Sequence, residues 1–180
     1  MLGVETFIRV GTTGAFPPLQ IGDVVVATAS AGWTGFANVV GGGEPSAPAA
    51  DLDVVIALRD AAQAKGLTTR AGPIVTSDTF YGDPDPAGVT RWGKRGYLSV
   101  EMESAALFLL AMRERAAGKH VRAGSILTVS DVLFYPDSPE ASQFDGEPFF
   151  RPPEEEVNAR VDNTIGAALA AAAALGRASS

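Results

Sequence analysis

Residues 4–15 read Val4-Glu5-Thr6-Phe7-Ile8-Arg9-Val10-Gly11-Thr12-Thr13-Gly14-Ala15, and the fold turns on how this stretch is taken. Residues 4–10 are short and β-rich, and Gly11 comes at once. The pattern predicts a buried strand running into a tight, glycine-flanked loop. Moving outward, residues 23–29 (DVVVATA) predict a second strand, introduced by Gly22. Residues 30–50 are rich in Gly, Pro and Ser and read as loop. Residues 51–65 carry Leu52, Val55, Ile56, Leu58 and Ala62 at helical spacing, with Asp51 suited to cap the start and Gly66 the end. Residues 70–76 (RAGPIVT) predict a third strand, in which Pro73 points to an edge or a bulge.

Further on, residues 78–94 predict a loop with a short helix and residues 98–100 a brief strand. Residues 103–117 predict a helix stopped by Gly118, and residues 121–129 a fourth major strand. Residues 134–153 hold five prolines and read as loop. Residues 154–175 predict the last helix, whose glutamate-rich first turn suits the positive end of the helix dipole. Strands and helices alternate, so the fold class is α/β with a mixed sheet. No repeat or linker divides the 180 residues, which predicts a single domain over residues 1–180.

Composition narrows the function. The chain has no cysteine, which removes disulfides and thiolate chemistry and is compatible with a cytoplasmic setting. His120 is the single histidine, so a histidine-built metal site or a Ser-His-Asp triad is not expected. The net charge is −7 with no basic stripe, which argues against a nucleic-acid partner. No apolar run approaches the roughly 20 residues that span a bilayer, and the first residues do not read as a secretory leader. An acidic protein that binds an anion must do so locally, with a few aimed donors.

Four constellations carry chemistry. In RVGTTG, residues 9–14, backbone N–H groups of a glycine turn can cradle an anion, with Thr12 adding a hydroxyl and Arg9 a two-pronged charged donor. The plainer reading is a tight turn at a sheet edge. In Val100-Glu101-Met102-Glu103 the carboxylates either cap the following helix or accept bonds from vicinal sugar hydroxyls, while the methionine packs on the sugar's apolar face. In Thr128-Val129-Ser130-Asp131, at a predicted strand end, the carboxyl either caps a turn or, partly desolvated, acts as an acid. In Ser77-Asp78-Thr79-Phe80-Tyr81 the aromatics either anchor the loop or stack on a planar base.

Taken as an ordered set, FIRVGTTGA, GDVVVATAS, SDTFY, VEMESAA and TVSD resemble the nucleoside phosphorylase family that includes uridine phosphorylase and the hexameric bacterial purine nucleoside phosphorylases. The resemblance runs from Phe7 to about Leu175. It implies a three-layer α/β/α fold around a central mixed sheet. It also implies a pentosyltransferase that splits a nucleoside with inorganic phosphate, needs no metal or organic cofactor, and assembles as a homo-oligomer, dimer or hexamer.

By the same resemblance, Arg9, Gly11 and Thr12 bind phosphate, and Met102 and Glu103 hold the ribose. Phe80, Val100, Glu101, Ser130 and Asp131 border the base, with Asp131 as its proton donor and Arg9 sharing the catalysis. Asp131 is of the purine type, and Gly82-Asp83-Pro84-Asp85-Pro86 lacks the glutamine and arginine that read a pyrimidine, so purine nucleosides are the expected substrates. RVGTTGA and SDTFY look closer to the uridine branch. Uridine phosphorylase, a related nucleosidase and a non-catalytic subunit or fragment are the alternatives. Family members carry further N-terminal strands and a second phosphate loop, which this chain is expected to lack. The arginine that assists the aspartate in purine enzymes aligns with Val157, leaving Arg151 or Arg160 as substitutes.

Overall fold

The computed structural model describes residues 3–43, 47–79, 86–135, 149–150 and 152–178. Strand β1 spans Thr6–Ala15, so the first strand does not stop at Gly11. It pairs in parallel with β5, Arg122–Leu133, along its whole length. Gly11 and Gly14 are kept extended by this ladder, and the expected glycine turn is not formed. Two glycines weaken a strand's own preference for extended structure. Continuous pairing with the buried β5 overrides that weakness.

The second strand, β2, is Val24–Trp33 and extends into the stretch read as loop. That stretch also holds a short helix, α1, Gly35–Val40, which Thr34 caps by accepting from the Ala37 N–H at 2.9 Å. β3, Thr69–Ser77, lies between β2 and β4, Ser99–Glu101. The parallel β2–β3 register slips between Ala27 and Ala29, opposite Gly72 and Pro73, which is the bulge that Pro73 foretold. β6, Phe149–Phe150, adds to β5 through Val132 and Leu133, within the segment read as loop.

The sheet is mixed. β1–β5, β2–β3 and β3–β4 are parallel, whereas β1–β4, β2–β5 and β5–β6 are antiparallel. Because β5 pairs with both β1 and β2, the five strands β1, β4, β3, β2 and β5 form a closed circuit of hydrogen-bonded neighbours.

Alternation along β2 sends its side chains to two cores. Val24 and Val26 join Val54 and Leu58 of α2, Leu52–Ala64, and Ala167 and Ala171 of α5, Glu154–Ala178. Val25 and Ala27 join Phe108 and Ala111 of α4, Ser104–Ala116. Leu58 and Phe108 are fully buried, and each such side chain stabilises the fold by about 1.5–3 kcal/mol. Asp51 caps α2 as its sequence position predicts, accepting from the Asp53 N–H at 3.2 Å, and Gly66 follows with φ 74°. A further helix, α3, spans Pro86–Lys94. Among the described residues no helix is long and apolar enough to cross a membrane.

Candidate active site

The three residues of β4 bring the site together. Val100 is in register with Gly14 of β1 and Val75 of β3, and Glu101 with Thr76. The Thr13 hydroxyl donates to the Val100 carbonyl at 2.8 Å, a second tie between β1 and β4. Helix α4 starts almost at once, with Glu103 as its N-cap residue. A helix start leaves backbone N–H groups without intrahelical acceptors. Here the Glu103 side chain makes no cap bond. Glu101 supplies the acceptors, taking the N–H of Glu103 at 3.0 Å and that of Ser104 at 2.9 Å.

The two carboxylates of VEMES therefore differ in kind. Glu101 is capping and buried, its side chain 1% exposed. The Glu103 side chain is 61% exposed and ion-paired with Arg9. The guanidinium of Arg9 also reaches Glu101, Nε to Oε2 at 3.4 Å. Its Nη1 is buried and has no hydrogen-bond partner. Gly11 makes room for this arrangement. Residues 9 and 11 share one face of β1, and a β-carbon at 11 would sit 2.9 Å from Nη1.

Asp131 is positioned by a slip in the β1–β5 ladder. Thr13 pairs with Val129 and Gly14 with Asp131, so Ser130 is the extra residue of a bulge. The Ser130 hydroxyl donates to Asp131 Oδ1 at 2.6 Å. Asp131 is 2% exposed and lies within β5, which continues to Leu133. It is therefore neither a strand end nor the cap of a turn, as the sequence had suggested.

Val100, Glu101, Met102 and Asp131 line one cleft, together with Gly14 and Thr79. Glu101 links this cleft to the Arg9–Glu103 pair, since it both lines the cleft and contacts Arg9. Met102 is 39% exposed. Thr12 is exposed on β1 beyond Gly11. No turn presents N–H groups there, so an anion near Arg9 would meet the guanidinium and the free edge of β1. That edge is paired with β4 only at Gly14 and Ala15 among the described residues. Phe80 and Arg151 lie outside the described residues. Arg160 is committed elsewhere, donating to the Ile21 carbonyl at 3.0 Å and to Glu156 at 2.8 Å, and Val157 is buried.

Sequence reading missed Gly14, Thr76 and Ser104. For Ser104 a signal existed, since a carboxylate three residues ahead of a helical N–H is the spacing of a cap. Gly14 and Thr76 became visible only when the strand register was known.

Arg9 thus lies between the Glu101 and Glu103 carboxylates, and Glu101 lines one cleft with Asp131. Residues 1–175 match the profile of the phosphorylase superfamily. The chain belongs to this superfamily. It is 40% identical over 132 residues to a DeoD-type purine nucleoside phosphorylase of Alkaliphilus metalliredigens, a match covering 73% of this chain and 54% of that protein. It is 38% identical over 130 residues to the DeoD-type enzyme of Geobacillus kaustophilus, covering 72% of this chain and 52% of that one. A guanosine phosphorylase of Halorubrum lacusprofundi is 40% identical over 134 residues, covering 73% and 52%. The chain spans about half the length of these curated relatives. In this superfamily member, the α/β fold with a mixed sheet and the motifs FIRVGTTGA, VEMES and TVSD go together.

Proposed function

We propose that this superfamily member cleaves purine nucleosides with inorganic phosphate, releasing the free base and ribose 1-phosphate. The observation that carries the reading is Arg9, which contacts both Glu101 and Glu103 and keeps a buried Nη1 without a partner, while Glu101 also lines the cleft that holds Asp131. Arg9, with Gly11 and Thr12, takes the phosphate. Glu103 accepts from the ribose hydroxyls, and Met102 packs on the sugar. Val100, Glu101, Ser130 and Asp131 border the base, with Phe80 as the stacking aromatic.

Cleavage of the glycosidic bond leaves positive charge on the ribose and sends the bonding pair to the base. A phosphate oxygen held by Arg9 forms the new bond to the anomeric carbon and stabilises that cation. Glu103 fixes the sugar in line with the phosphate. Asp131 passes a proton to the departing base, which so leaves neutral. The residues themselves account for binding, orientation and proton transfer, so the reading calls for no metal or organic cofactor.

The reading is of a cytoplasmic homo-oligomer, dimer or hexamer, with nucleoside and phosphate as its ligands. It takes residues 1–180 as one domain and the fold as three layers, supported by α4 on one face of the sheet and α2 with α5 on the other. The purified protein is expected to release base from inosine or adenosine only when phosphate is present, and to act less well on uridine. No release from any nucleoside by folded protein rules the reading out.

A further inference from the structure

Glu101 is a buried charge with an unusual number of donors. Its Oε1 accepts from the Thr76 hydroxyl and from the Ser104 N–H at 3.1 Å. Its Oε2 accepts from the N–H of Glu103 at 3.0 Å, and from the N–H and hydroxyl of Ser104, each at 2.9 Å. Burying an ionised carboxylate is costly unless its lone pairs are satisfied, and these donors satisfy them.

A second ring of buried hydroxyls fixes the donors. Thr76 gives its one proton to Glu101, so the Ser30 hydroxyl, 2.7 Å away, must donate to Thr76. Thr76 also accepts from the Ala105 N–H at 2.9 Å, and Ser104 lies 3.0 Å from the Ser125 hydroxyl. Thr76, Ser104, Ser30 and Ser125 are each at most 1% exposed. Such a network is more than the cap of a 13-residue helix requires, for which one acceptor commonly suffices.

We infer that Glu101, beyond bordering the base, is a positioning residue that aims Arg9 and Glu103. Through Oε2 it contacts Nε of Arg9 at 3.4 Å, on the edge that Nε shares with Nη2, which leaves Nη1 on the far side. Through the same oxygen it fixes the backbone of Glu103, whose carboxylate then pairs with Nη2 of Arg9. Two groups of the site so take their places from one buried atom. The inference rests on the phosphorolytic reading, because it names what orients the residues assigned there to phosphate and ribose.

The test is calorimetric binding of inorganic phosphate to the wild-type chain and to Glu101→Gln, with thermal unfolding of both. Glutamine keeps the size but offers one acceptor oxygen and places an amide N–H₂ among donors. Removing a negative charge near an anion site would by itself tighten phosphate binding. Lost orientation weakens it, so the sign separates the two effects. Weakening of about tenfold is expected for Glu101→Gln. Equal or tighter binding, with only the melting temperature lowered, overturns the inference and leaves Glu101 as a helix cap.

Thr76→Val and Thr76→Ser supply a second reading, which stands even if Glu101→Gln does not fold. Thr76→Val removes one anchor of Glu101 and is expected to weaken phosphate binding several-fold, whereas Thr76→Ser keeps the hydroxyl and the affinity. Identical affinity in both variants overturns the inference. A wild-type chain that binds no phosphate refutes the phosphorolytic reading and this inference together. A wild-type chain that binds phosphate no better than Glu101→Gln refutes this inference alone.

Discussion

Gly14 and Asp131 face each other across the β1–β5 ladder so closely that a β-carbon at residue 14 would lie 2.6 Å from Asp131 Oδ2. The same β-carbon would lie 2.7 Å from Cδ1 of Leu133. Relief must come from these two side chains, and Asp131 can move only by giving up its tie to Ser130 in a buried strand. Gly14→Ala is therefore expected to push the carboxyl out of the cleft. Unfolding by urea should show a loss of about 1–3 kcal/mol. Phosphorolysis should fall further than stability predicts. A variant as stable and active as wild type would mean that Asp131 is not held where the ladder puts it.

Gly11→Ala makes the contrasting case. The β-carbon would meet Nη1 of Arg9 at 2.9 Å and Cζ at 3.2 Å, the far end of a flexible side chain. Arg9 can swing aside at little cost to the fold. The melting temperature is expected to stay close to wild type, while the KM for phosphate rises about tenfold or more. Equal loss of stability and phosphate affinity would instead mark Gly11 as a purely structural glycine.

Much of this was legible in the sequence, and two of the exceptions at the site share a cause. Helix α2 announced itself through apolar spacing, an acidic cap and a following glycine, and α4 through its glycine stop. Strands β2 and β3 did so through β-branched runs, and Pro73 even located the bulge. These two errors fell where glycine or a charge sits inside a strand. Gly11 and Gly14 read as a turn because glycine has no preference for extended structure, yet they are there to admit Arg9 and Asp131. Asp131 read as a strand end because a carboxylate seldom lies inside a buried strand, yet β5 runs on to Leu133. Both are demands of the site, which outweigh local preference.

The division of labour between Glu101 and Glu103 was not legible for another reason. Both are glutamates next to a helix start, and only the path of the chain decides which one reaches back to the free N–H groups. The structure gives that task to Glu101 and leaves Glu103 for Arg9. Lysine in place of Arg9 cannot span two carboxylates and still offer a third donor edge, because its charge is a single ammonium. Arg9→Lys is expected to lower kcat/KM for phosphate by about a hundredfold, with nucleoside binding less affected. Initial-rate kinetics with each substrate varied in turn decides this, and equal losses for both substrates contradict it.

Asp131→Asn keeps the shape and an acceptor for Ser130 but removes the proton. Loss of a general acid costs about 10²–10⁴-fold in rate. The cost should depend on the base. A nucleoside whose base already carries a positive charge leaves without needing a proton, so its phosphorolysis should be nearly spared. Equal losses for neutral and cationic bases would show that Asp131 serves position and not proton transfer.

The last test concerns how the sheet is covered, away from the site. Helix α2 lies so close over β5 that a β-carbon at Gly124 would come within 2.4 Å of Val54 Cγ1 and 3.1 Å of Leu58 Cδ1. Val54 and Leu58 are fully buried, so neither can turn out to solvent. Gly124→Ala must then lift the helix or force an unfavourable rotamer, costing about 1–3 kcal/mol. Val54→Ala alone leaves a cavity and also destabilises. Combined, the two changes relieve each other, since the added methyl enters the space left by the removed ones. The double variant should be more stable than the sum of the single losses predicts, by about 0.5–3 kcal/mol. Urea unfolding of the four proteins measures this coupling. Strict additivity would mean that α2 does not rest on Gly124, while unchanged kcat in all four would agree with α2 contributing no group to the cleft.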